Sequence, residues 1–270
     1  MTNDATHDTN EQTTQDAKSR NRQQFGANAS NYATSDVHAK GASLARMVEL
    51  ADPQNTWDAL DIATAAGRTA FAFAPHVSSV VATDLTPEMV ELAEHRAVEL
   101  GHHNVTVQLA DAEALPFDDA SFDLVTCRIA PHHFPHPQRF IAEVARVLRD
   151  DGHFVMVDNV VPDEVDVAKF CNDWERRRDP SHVRCLSMSE WSRLCTDAGL
   201  AISHQETADK RMIFQTWADN MSVEESERPA LLDDLLTASA GIRAWLRPQG
   251  TTQANAAFSL TEGLLVARHI

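Results

Sequence analysis

The sequence predicts a doubly wound α/β fold carrying a mostly parallel sheet, and three observations predict it. Short apolar runs at 57–62, 79–83, 105–109, 122–127 and 153–158 read as strands. Helical patterns at 68–75, 86–100 and 137–148, with a short turn near 113–115, separate them, and that alternation implies parallel strands joined by right-handed crossovers. Two later stretches, 202–214 and 257–267, read as strands that pair as an antiparallel C-terminal edge, making seven in all.

Each element follows from its residues. Residues 1–24 are rich in Thr, Asn, Gln and Asp with almost no large apolar side chains, and they read as an unstructured tail ahead of a single domain over 25–270. From Phe25 to about residue 50 the chain reads as a loop and a helix that presents Leu44, Met47, Val48 and Leu50. The first strand ends in Asp61, small residues follow at Ala63, Ala65 and Gly67, and the second strand ends in Asp84. Thr86 caps the next helix with Pro87 at its first position. Gly152, after Leu148-Arg149-Asp150-Asp151, stops a helix before the fifth strand, and a helix over 189–198 starts at Ser189 and ends at Gly199. Residues 223–246 place Leu231, Leu232, Leu235, Leu236 and Ile242 at helical spacing; core packing explains them first and a lid second. No repeat of fixed period occurs.

Composition narrows the function. A chain of 270 residues that is 43% hydrophobic can bury one large core. A net charge of −17 argues against nucleic acid, which needs a basic face, and leaves a small molecule as the expected partner. The first residues are polar rather than a signal sequence, and no apolar run reaches the length of a membrane span. Cys127, Cys171, Cys185 and Cys195 show no C-x-x-C spacing and read as reduced buried thiols of a cytoplasmic protein. Lysine occurs only at Lys18, Lys40, Lys169 and Lys210, so the acidic surface suits either salt adaptation or plain solubility. Oligomeric state is not legible in this pattern.

The chemistry concentrates at strand ends. Small residues after Asp61 let backbone approach a ligand, and a carboxylate such as Asp84 can grip two ribose hydroxyls, so the layout suits a nucleoside cofactor. Gly67 alone does not make the G-x-G-x-x-G of a dinucleotide turn. Asp61 is open to a second role, capping the turn by accepting backbone N–H groups. Asp84 could cap a helix, but Thr86 is better placed to do so and frees the carboxylate for a ligand.

Six segments together resemble the class I S-adenosylmethionine-dependent methyltransferases, and within them the ubiquinone and menaquinone biosynthesis C-methyltransferase branch. They are Leu60-Asp61-Ile62-Ala63-Thr64-Ala65-Ala66-Gly67, Val81-Ala82-Thr83-Asp84-Leu85-Thr86-Pro87-Glu88-Met89, Ala110-Asp111-Ala112-Glu113-Ala114-Leu115-Pro116-Phe117, Ser121-Phe122-Asp123-Leu124-Val125, His132-His133-Phe134, and Ala145-Arg146-Val147-Leu148-Arg149-Asp150-Asp151-Gly152. The resemblance covers about 57–200 and implies a Rossmann-like fold with cap elements over 25–50 and 223–246. It implies that the turn from Asp61 to Gly67 passes under the methionine part of S-adenosylmethionine, with Ala63 and Ala65 where relatives often have glycine. Ala65 is expected at negative φ, with its methyl accommodated against the sheet. Asp84 would bind the ribose hydroxyls, Leu85 and Met89 would pack beside adenine, and Asp111 with the Ala112 amide would read the adenine edge. Arg128 and Tyr32 would complete the cofactor site, Tyr32 lying in a segment that folds over the cofactor in related enzymes.

The substrate side follows the fourth strand, at Cys127-Arg128-Ile129-Ala130-Pro131-His132-His133-Phe134. Adjacent histidines in an extended segment diverge, and no H-x-x-x-H spacing supports a metal. Candidate bases are His132, His133 and Asp158, and Asp158 could equally hold a loop with Asn159. Arg177, Arg178 and Arg184, with His182, suit either an anionic or carbonyl-bearing substrate or a salt-bridged surface. The expected activity is methyl transfer to carbon, oxygen or nitrogen of a small organic acceptor. A cofactor-binding scaffold without turnover and a nicotinamide-dependent oxidoreductase are the rival readings.

Overall fold

The computed structural model describes residues 13–26 and 42–269. It opens with a helix over 13–26 (α1), followed by α2 (Ala42–Ala51), β1 (Asp58–Ile62), α3 (Arg68–Phe73) and β2 (Ser79–Asp84). Next come α4 (Pro87–Leu100), β3 (Val105–Leu109), β4 (Phe122–Arg128), α5 (Pro137–Val147) and β5 (Leu148–Val160). The chain ends with α6 (Val165–Arg178), α7 (Met188–Asp197), β6 (Leu200–Ile213), α8 (Phe214–Asp219), α9 (Arg228–Thr237), α10 (Ala240–Leu246) and β7 (Ala257–His269).

The seven strands form one sheet in the order β3-β2-β1-β4-β5-β7-β6. The first five are parallel, and β7 runs antiparallel between β5 and the edge strand β6. Period-2 alternation sends successive residues to opposite faces. Leu60, Ile62, Val125 and Cys127 pack with Phe140, Ile141, Val144 and Trp191 of α5 and α7. Ala59, Leu124, Val155 and Val157 pack instead with Met47, Ala51, Ala70 and Phe73 of α2 and α3. Strand order reverses between β1 and β4, so the connections leaving these two paired strands run to opposite sides and leave a crevice at the carboxyl edge, where open α/β sheets place ligands.

Three local expectations are corrected. Residues 13–24, expected to be unstructured, lie in α1. Their polar side chains find partners on the sheet edge, where Lys18 reaches Asp111 at 2.6 Å and Glu113 at 2.7 Å. The cap of α7 is Ser187 rather than Ser189. Ser187 Oγ accepts the Glu190 N–H at 3.2 Å and the Ser187 N–H donates to Glu190 Oε2 at 3.0 Å, a reciprocal pair that needs the three-residue spacing. Helix α5 ends at Val147, and 148–151 are already extended because Leu148 turns into the core at 1% exposure.

A third cluster forms the helical cap. Trp174 and Trp217 stack with centroids 4.2 Å apart, Phe258 meets both edge-on, and Leu231, Leu235 and Ile242 close the group. The apolar spacing of 223–246 therefore serves packing. Among the described residues no helix is long and apolar enough to cross a membrane.

Candidate active site

A cavity of about 300 Å³ opens at the carboxyl ends of β1, β2, β3, β4 and β5. Ala63, Ala65, Asp84, Leu85, Met89, Asp111, Ala112, Arg128, His132 and His133 all line it. Tyr32 lies outside the described residues. Asp61, Gly67 and Asp158 sit behind the wall rather than in it.

Asp61 is 1% exposed and spends its carboxylate inside the fold. It accepts Thr64 Oγ1–H at 2.6 Å, Thr126 Oγ1–H at 2.8 Å and the Ala70 N–H at 3.2 Å. Burial pushes its pKa up to about 6, against the opposing pull of those bonds. Of the two roles open to it, the structure shows the one that shapes the turn.

That turn is strained. Ala63 (φ 55°), Ala65 (φ 47°) and Gly67 (φ 83°) are all left-handed, which overturns the expected negative φ of Ala65. The Thr64 N–H reaches the Thr83 carbonyl at 2.8 Å and the Ala65 N–H reaches Asp84 Oδ2 at 2.9 Å, and the backbone coils left to satisfy both. A left-handed alanine costs about 1–2 kcal/mol, more than the roughly 0.4–1 kcal/mol of unfolded-state entropy that glycine adds. Ala65→Gly is therefore expected to raise stability by about 0.5–1 kcal/mol. A thermal melt that falls instead would show the turn to be unstrained.

Asp84 is 9% exposed, and each of its oxygens accepts one backbone N–H, from Ala65 and from Thr86, both at 2.9 Å. Each oxygen keeps a lone pair for a ligand. Burial raises its pKa against those bonds. Thr86 is the N-cap of α4 with Pro87 at its first position, as expected, but its side chain makes no capping bond, and Asp84 anchors the turn and the start of α4 at once. Asp111 takes the Glu113 N–H at 3.0 Å on one oxygen and Lys18 on the other.

At another part of the wall, Arg128 is a half-buried cation with an incomplete partner set. Its Nη2 lies 3.4 Å from Ser43 Oγ, and its buried Nε has no partner among the described residues. Burial lowers its pKa, against the pull of Glu262 and Asp61. Asn159 Oδ1, on a residue that also lines the cavity, is buried without a donor among the described residues.

The histidines occupy a buried polar network. His132 Nδ1 lies 2.6 Å from Asp158, which is fully buried. Burial works to lower the pKa of His132, but the charge and hydrogen bond of Asp158 raise it overall. His133 Nδ1 lies 3.1 Å from the Ser181 carbonyl, and burial with the neighbouring His132 holds it well below the usual histidine range. His182 gives its Nε2 to Asn172 Oδ1 at 2.9 Å and is likewise pushed down by burial. In the arginine-rich stretch, Arg176, Arg177 and Arg184 pair with Asp173, Asp234 and Glu190. Arg178 alone reaches the cavity, already paired with Glu175 at 2.9 Å.

Comparison with known proteins decides the family. A methyltransferase-domain family model matches residues 60–156. The uncharacterized methyltransferase YcgJ of Bacillus subtilis is 41% identical over 197 residues, covering 73% of this chain and 78% of YcgJ. This chain belongs to the methyltransferase family. The crystal structure of YcgJ superposes with a TM-score of 0.81 at 35% identity, over 84% of this chain and 98% of that one. The uncharacterized protein YafE of Escherichia coli is 30% identical over 203 residues, 75% of this chain and 96% of YafE. A ubiquinone/menaquinone biosynthesis C-methyltransferase of Citrifermentans bemidjiense is 36% identical over 107 residues, 38% of this chain and 46% of that protein.

The methyltransferase uses S-adenosylmethionine, and its residues fit that group. The cofactor carries a carboxylate, an ammonium, two ribose hydroxyls and an adenine. The cavity offers a partnerless guanidinium nitrogen at Arg128, a partnerless carbonyl at Asn159, and spare lone pairs at Asp84. Several lining residues were not singled out from sequence, among them Lys18, Thr64, Thr69, Asp179 and Trp217. Thr64 was the most findable, since it lies inside the strand-end motif. Lys18 sits in a stretch whose composition points away from structure.

Proposed function

We propose that this methyltransferase binds S-adenosylmethionine along the β1–β4 strand ends and methylates a small organic acceptor held beside His132. The observation that carries this reading is that Asp84, Asp111, Arg128 and His132 line one cavity, with Asp158 bonded to His132 from behind the wall. Asp84 would take the ribose hydroxyls, Asp111 and the Ala112 amide the adenine edge between Leu85 and Met89, and Arg128 the methionine carboxylate. S-adenosylmethionine supplies an electrophilic methyl group and a neutral thioether leaving group, so the protein has mainly to align the acceptor and exclude water. With Nδ1–H given to Asp158, His132 offers Nε2 as general base, and Asp158 stabilises the imidazolium that forms on taking the acceptor's proton. Four buried free cysteines suit the reducing cytoplasm in which we place it.

Calorimetry with S-adenosylmethionine, S-adenosylhomocysteine and NAD, followed by a labelled-methyl assay on cell extract, tests the proposal. Binding of NAD alone would sink it. Asp84→Asn is expected to weaken S-adenosylmethionine binding by about 1–3 kcal/mol, because the ribose hydroxyls lose a charged acceptor. An unchanged dissociation constant in a normally folded variant would remove Asp84 from the site.

A further inference from the structure

Two acceptors in the cavity wall face each other with no donor between them among the described residues. Asp179 is 2% exposed and His133 is 6% exposed, and both line the cavity. One carboxylate oxygen of Asp179 is saturated by the Ser181 N–H at 2.9 Å and the Ser181 hydroxyl at 2.5 Å. Among the described residues the other oxygen meets only His133 Nε2, 4.0 Å away. The tautomer of His133 follows from its surroundings. Its Nδ1 meets the Ser181 carbonyl at 3.1 Å, and a carbonyl only accepts, so Nδ1 carries the proton. The Ser181 hydroxyl, 3.3 Å from the same nitrogen, has given its own proton to Asp179 and can only accept as well. A neutral ring then points a lone pair from Nε2 at the carboxylate. Burial and the neighbouring His132 keep the ring neutral. Both residues front the cavity, so a ligand there can supply the hydrogen that the pair lacks.

We propose that Asp179 and His133 together recognise an N–H or O–H group of the methyl acceptor, carried on an apolar body. This rests on the methyltransferase reading of the cavity. The same wall supplies apolar surface for that body: Trp217, Met212, Met221 and Leu260 line it, and Phe25 of α1 sets its ring edge-on to His133 at 5.0 Å. The His132 and His133 rings lie 4.1 Å apart, so a group held by the acceptor pair is beside the proposed base. Arg178 and Glu175 are spent on each other and on Trp217, whose indole N–H donates to Glu175 at 3.0 Å, and Asp158, whose Oδ2 also lacks a partner among the described residues, stands behind the wall, so Asp179 is the carboxylate that meets the cavity beside His133.

The test titrates protein saturated with S-adenosylhomocysteine against phenol and benzylamine, with anisole and toluene as partners of similar shape that lack the donor. At least one donor probe is expected to bind about tenfold or more tightly than its control, the scale of a hydrogen bond to a charged group. Phenol over benzylamine identifies a hydroxyl acceptor, and the reverse an amine. Asp179→Asn keeps an oxygen for Ser181 and turns an amide N–H toward His133 Nε2, so it closes the pair internally and abolishes the preference, with S-adenosylhomocysteine affinity retained. His133→Asn, which removes the Nε2 lone pair, is expected to do the same and serves if the first variant unfolds. Equal binding of donors and controls, no binding of any probe at millimolar concentration, or a preference that survives in a folded variant would overturn the inference. Failure of S-adenosylhomocysteine itself to bind would instead bring down the cofactor reading, and this inference with it.

Discussion

His132→Asn is expected to lower kcat by about 10²–10⁴-fold, the usual worth of a positioned general base, while S-adenosylmethionine binding is unchanged. Asparagine is chosen over alanine because its amide can still donate to Asp158. Alanine would leave that fully buried carboxylate without its partner, and stability would fall for reasons unrelated to catalysis. The pH profile gives a second readout. A base must be neutral to act, and His132 is raised above the ordinary histidine value by Asp158. Activity should therefore climb with pH through a limb above about 6.5. Asp158→Asn removes the charge that raises it, so the limb should move to lower pH and the plateau should drop. A variant with full kcat, or a limb that stays in place without Asp158, would assign the proton to another group.

Gly67→Ala is expected to cost about 2–5 kcal/mol of stability, from a left-handed backbone and a steric conflict together. At φ 83° an alanine is strained wherever it stands, and here its Cβ would come within 2.2 Å of the Phe71 ring. That ring cannot swing away freely, since it stacks on His102 at 4.9 Å and lies under the Arg96 guanidinium at 5.8 Å. Gly101→Ala is the matched control: its φ is 74° but open space surrounds it, so only the backbone penalty applies. Chemical denaturation of both variants separates the two contributions. Equal losses would show that the Phe71 contact relaxes at no cost.

The strand-end residues were legible because their positions follow from local pattern. A strand buried on both faces reads as an apolar run, and the residue after its last apolar position must emerge at the carboxyl edge. Asp84, Asp111 and Arg128 were found that way, as were His132 and His133 after β4. Asp61 obeys the same pattern yet turns inward, because Thr64, Thr126 and the Ala70 amide converge on it from three separate segments. Pattern places a side chain at an edge but does not say which neighbours will claim it.

Sequence alone determined the parallel order of elements, the antiparallel end, the family resemblance and the edge on which the chemistry lies, since these depend on period-2 and period-3.6 burial within short windows. Tertiary structure decided the rest. It made Ala65 left-handed, because Thr83 and Asp84 on β2 both draw N–H groups from one turn. It ordered the polar helix α1, because Lys18 meets two carboxylates 93 and 95 positions away. It also set Asp179 against His133, which no local pattern links, because the polypeptide after α6 folds back onto the loop after β4. Each of these outcomes is fixed by hydrogen-bond or charge complementarity between segments distant in the chain, and such complementarity acts only once the sheet has brought them together.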